Sequence, residues 1–136
     1  MRKAVKLHRE AMEFADQAET ARRRKAPNDA VMLFRKAFER ERAAAVLFVN
    51  DFDAEPTRSV LLRSAASLAL DCQEYREAER LIAAALWGNP PEELYDELHE
   101  LLVALDSRIA VTHKSNGKKH RPEIKREPIA VLGARP

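Results

Sequence analysis

The chain has 136 residues, 46% hydrophobic and 34% charged, with 3 Gly, 7 Pro and 6% aromatic residues. That length fits one ordinary domain around a single core, and the composition excludes collagen-like and Gly/Ser-linker classes. The net charge of +2 hides a division: residues 1–106 hold 16 Lys and Arg against 20 Asp and Glu, and residues 107–136 hold 8 against 2. An acidic body, 1–106, followed by a basic tail, 107–136, is the expected organisation.

Apolar residues at helical spacing predict five helices. The first, about Lys3 to Lys25, places Leu7, Ala11, Phe14, Ala18 and Ala21 on one face. Ala26-Pro27-Asn28-Asp29 interrupts it, and Asn28 or Asp29 is suited to cap a second helix running to about Val49. Asn50 to Pro56 reads as a connector before a third helix, Thr57 to Asp71, which is apolar on most sides and so expected between neighbours. The fourth runs from Tyr75 to Trp87, with Gly88 as a left-handed stop. Asn89 as cap and Pro90 in the first turn open the fifth, whose leucines at 94, 98, 101, 102 and 105 predict its buried side. After Asp106 the pattern changes. Ile109-Ala110-Val111 and Ile129-Ala130-Val131-Leu132 are β-prone patches flanking Asn116-Gly117, so the tail is expected to be extended, as a hairpin or as a segment ordered on a partner.

Cys72 is the only cysteine, which rules out an intramolecular disulfide and suits a reducing, cytoplasmic setting. The first residues, Met1 to Lys6, are basic, but Arg9, Glu10 and Glu13 interrupt any apolar leader, and no stretch approaches the roughly 20 apolar residues of a membrane span.

The most specific signal is an internal spacing. Phe14, Ala18 and Ala21 are followed by Ala30, Phe34 and Ala37, as Leu62, Ala66 and Ala69 are followed by Ala78, Ile82 and Ala85, 48 residues on. This resembles the tetratricopeptide repeat, whose helix pairs carry small residues where they cross and a proline at their end. The second pair is the closer match, through Tyr75-Arg76-Glu77-Ala78 to Asn89-Pro90. It departs in Leu62 for the usual Trp, Ala66 for Gly and Gln73 for a turn Gly. Arg42 stands where the first pair's proline belongs, so its second helix is expected to run about two turns longer, and 48 residues exceeds the family's repeat of about 34. The resemblance covers about residues 10–105 and implies an all-α fold: antiparallel helix pairs in a short solenoid, two repeats plus a capping helix.

The family binds extended peptides or partner helices along the first helix of each pair. Carried over, the resemblance implies binding positions at Met12, Glu19, Arg22, Arg23, Arg63, Ser67 and Asp71. The subgroup that grips a carboxylate with groove Asn residues is not matched. Arg22-Arg23-Arg24-Lys25 suits a helix C-terminus and also a carboxylate-rich or phosphate partner. In the tail, Ile129, Val131 and Leu132 are suited to strand addition on a partner. His8, His99, His113 and His120 show no ligand spacing, Cys72 lies between acidic residues, and no Gly-rich phosphate loop exists, so no catalytic residue, metal or cofactor is expected. The expected function is a non-catalytic adaptor or regulatory subunit, of a kind familiar in bacteria. Its partner is another protein, in a hetero-complex or a homodimer; no membrane or small-molecule substrate is expected. The alternatives are nonspecific nucleic-acid association through Lys114, Lys118, Lys119, Arg121, Lys125 and Arg126, and antitoxin-like control of an effector protein.

Overall fold

The computed structural model describes residues 2–115. They form α1 (Arg2–Arg23), α2 (Pro27–Val46), α3 (Thr57–Asp71), α4 (Tyr75–Trp87) and α5 (Glu92–Ser115), with no strand among the described residues. The fold is all-α. Each helix packs on the next, and α3 also packs on α5. The α1–α2 pair is antiparallel: His8 meets Glu41 and Glu10 meets Arg40, residues about equally far from the turn that joins the helices. Fully buried Ala18, Ala66 and Ala78, with Ala30 nearly so, let the helix backbones approach closely. Around them Leu62, Leu81, Ile82, Leu98 and Leu105 fill the core, each contributing about 1.5–3 kcal/mol on burial. As expected from the missing proline, α2 has 20 residues against 13 in α4. No helix among the described residues is long and apolar enough to cross a membrane.

Both first-of-pair helices end in the same way. Lys25 and Gln73 adopt left-handed φ values of 60° and 66°. Ahead of each turn the same two hydrogen bonds close the helix: Ala26 N–H to Ala21 O (2.9 Å) with Lys25 N–H to Arg22 O (3.1 Å), and Glu74 N–H to Ala69 O (2.8 Å) with Gln73 N–H to Leu70 O (3.1 Å). This is the 6→1, 5→2 closure of a Schellman motif, placed twice at an interval of 48 residues.

Helix starts differ from the expected caps. No side chain caps α2: Pro27 occupies the first turn, where its missing N–H is no loss, and Ala30 N–H already donates to Ala26 O, so Asn28 and Asp29 lie inside the helix. In α5 the first bond is Tyr95 N–H to Pro91 O (2.9 Å), which leaves Asn89 and Pro90 outside the first turn. At α3 the cap comes from Glu55, which accepts from Ser59 N–H (3.1 Å) and Ser59 Oγ (2.9 Å).

Gly88 is not left-handed either; its φ is −84°. A Cβ there would stand 2.3 Å from Arg58 Nη1 and 3.0 Å from Cζ, so the glycine makes room for a buried guanidinium. Arg58 is 1% exposed. Its Nε donates to Val49 O (3.0 Å), its Nη2 donates to Ala84 O (2.8 Å), and its plane lies 4.6 Å from the Phe52 ring. One side chain of α3 thereby fastens the turn that follows α2 and the connector beyond it to α4.

The largest departure is α5, which continues past Asp106 to Ser115. The residues from 107 to 115, expected to be extended, are helical because the buried stripe of Leu98, Leu101 and Leu105 continues to Ile109, which packs on the core. Packing overrides the β preference of Ile109 and Val111. Asn116-Gly117 and the patch at Ile129, Val131 and Leu132 lie outside the described residues.

Candidate functional site

The C-terminal ends of α1 and α3 bring three of the expected binding residues together. Arg22, in the last turn of α1, donates from Nη2 to Asp71 Oδ1 at the end of α3 (3.2 Å), and its Nη1 lies 3.3 Å from Glu19 Oε1. The same guanidinium lies 4.6 Å from the centre of the Phe34 ring in α2. Arg22 therefore bridges three helices and is not an uncommitted groove cation. Pairs this exposed contribute about 0–1 kcal/mol, so the cluster fixes register more than it stabilises. Burial pushes the Asp71 carboxyl above the ordinary aspartate value; Arg22 draws it back, Glu19 adds to the rise, and Arg108 of α5 opposes it.

The other expected residues divide. Arg63, Ser67 and Asp71 follow one another at four-residue intervals and share one face of α3. Arg63 is held to α5 by Glu97 Oε1 (2.5 Å), while Ser67 is half-buried. Met12 packs against the core from a half-buried position. Arg23 is exposed and donates to Thr20 Oγ1 (3.3 Å). The four residues of the basic run 22–25 thus fill three roles: a bridge, two exposed charges and a left-handed cap.

Cys72 is fully buried. Burial pushes its thiol up to about 11, opposed by Arg35, and Glu74 adds less than Arg35 removes. The expected acidic neighbours are therefore a secondary cause. Arg35 holds the turn, donating to the Cys72 carbonyl (3.2 Å) and pairing with Glu74. Among the described residues no group of three His, Cys, Asp or Glu side chains is placed to hold a metal ion.

Two buried polar contacts had no place in the sequence reading. Glu41 is fully buried in α2, and both its carboxylate oxygens lie 2.9 Å from His8 Nδ1 in α1. Its signal was a charged residue within the apolar stripe of Phe34, Ala37, Phe38 and Ala45. Arg58 had a similar signal, at the start of a helix apolar on most sides. No family model matches the chain, and no curated protein or solved structure matches it.

Proposed function

We propose that the chain is a tetratricopeptide-like helical-repeat protein, a non-catalytic cytoplasmic adaptor or regulatory subunit that binds a partner protein along the face shared by α1 and α3. The observation that supports this reading is one helix-pair design used twice, with small crossing residues and the same left-handed closure recurring 48 residues apart. Such repetition sets equivalent helices side by side and gives an extended surface for a peptide or helix. Glu19, Ser67 and Arg23 are the partner-facing residues in this reading, with Arg22 and Asp71 holding the two helices in register.

The test is affinity capture with the full chain, with Glu19→Lys/Ser67→Arg, and with a chain ending at Ser115. A stoichiometric partner retained by the truncation and lost by the double substitution supports binding on the helices. Loss only on truncation moves the contact to residues 116–136, and absence of any stoichiometric partner removes the adaptor reading.

A further inference from the structure

The turn end of the α1–α2 pair carries an open groove of about 530 Å³, lined by half-buried Ala21 and Leu33 with Thr20, Arg24, Asp29, Met32 and Lys36 around them, two cations against one carboxylate. Its counterpart 48 residues on is closed. There Leu68, Ala69, Cys72, Leu81 and Ala84 are buried. α2 packs on α3, with Arg35 on the Cys72 carbonyl and Glu74, and Arg42 Nε on Glu77 (2.9 Å). The second pair's seam therefore receives a helix. The first pair keeps the same small and apolar floor, but the positions of Leu68, Cys72 and Ala84 are taken by Thr20, Arg24 and Lys36. No helix among the described residues covers it. By position it is a seat for a helix, and Arg24 and Lys36, partly offset by Asp29, favour an acidic one.

α5 has those properties on its free side. From Glu92 to Ser107 it carries no Lys or Arg and six acidic residues, of which Glu97 is taken by Arg63 of α3 and the other five are exposed. Asp96, Glu100 and Val103 follow at four- and three-residue spacing on one exposed strip, with Val103 71% exposed and Tyr95 47% exposed nearby. Met32, 61% exposed on the groove rim, supplies the apolar counterpart. We propose that the α1–α2 seam of one molecule takes the outer face of α5 from a second copy, so that the chain self-associates head to tail. The two surfaces sit at opposite ends of the helix order, so the contact is heterologous and each pairing leaves one seam and one α5 face free for the next molecule. This inference does not depend on the α1–α3 face binding a partner.

Sedimentation velocity of the full chain, across protein concentration at about 0.01 M and about 1 M salt, tests it, since the Debye length falls from about 30 Å to about 3 Å between them. Species larger than a monomer are expected at low salt and are expected to dissociate at high salt. Arg24→Glu/Lys36→Glu and Asp96→Lys/Glu100→Lys should each weaken association at least about tenfold, and mixing the two variants should restore it. Circular dichroism checks that each remains helical, and Arg24→Gln/Lys36→Gln replaces the first pair if it does not. A monomer at every concentration overturns the proposal, as does association insensitive to both reversals or not restored by mixing. Association that disappears in a chain ending at Ser115 overturns it too, since residues 116–136 would then supply the contact.

Discussion

Gly88→Ala isolates what Arg58 does for the fold. The added methyl falls 2.3 Å from Arg58 Nη1, inside any tolerable contact distance, so one of the two must move. An arginine tip in solvent would swing aside at little cost. This one is 1% exposed and fixed by bonds to the Val49 and Ala84 carbonyls and by the Phe52 ring. Displacing it loosens two charge-assisted hydrogen bonds of about 1.5–3 kcal/mol each, while losing a glycine from the unfolded chain returns about 0.4–1 kcal/mol. The expected net loss is about 2–4 kcal/mol. With a urea dependence of about 2 kcal/mol per molar, mid-range for a small protein, the denaturation midpoint should fall by about 1–2 M. In an Arg58→Ala background, already destabilised, Gly88→Ala should cost almost nothing, giving a coupling energy close to the whole effect. A neutral Gly88→Ala in the wild type, or an equal loss in both backgrounds, would show that Arg58 yields freely and does not pin α4 to the turn that follows α2.

The two left-handed caps are improvable: Lys25→Gly and Gln73→Gly should each raise unfolding free energy by about 1 kcal/mol, additively in the double variant, and a loss at either site would contradict the αL assignment. Cys72 should be inert to a thiol reagent in the native protein at neutral pH and react at the rate of a free cysteine in denaturant; rapid native labelling would be incompatible with a buried thiol raised to about 11. Because burial raises the Asp71 carboxyl, the native state keeps that proton to higher pH than the unfolded chain does. Its stabilising contribution is complete below the ordinary aspartate value of about 3.9 and is lost as pH rises through the folded value. Asp71→Asn should flatten that part of the stability profile without lowering stability at pH 7, and a loss above about 1 kcal/mol there would show that the bond to Arg22 outweighs burial.

The helices were legible because their signal is periodic and local. α3 and α4 lie where the apolar spacing and the intervening turn residues put them. The end of α5 was not, for a physical reason. Ile109-Ala110-Val111 reads as a β-prone patch, yet Ile109 continues the inner side of a helix that runs on through Leu105, with Asp106, Ser107 and Arg108 at exposed positions. The Arg22–Asp71 bridge spans 49 residues and leaves no local trace, so the basic run 22–25 read as one patch although its members do different things. The charge division placed at Asp106 likewise falls inside a continuous helix and marks no structural boundary. What the charge does separate is the two ends of the helix order. Asp96 and Glu100 lie on the exposed strip of α5, while Arg24 and Lys36, with Asp29 beside them, line the open seam of α1 and α2 where the second pair has Cys72 and Ala84. Cations on the open seam at one end of the helix order and carboxylates on the exposed strip of α5 at the other favour like molecules meeting end to end at low salt.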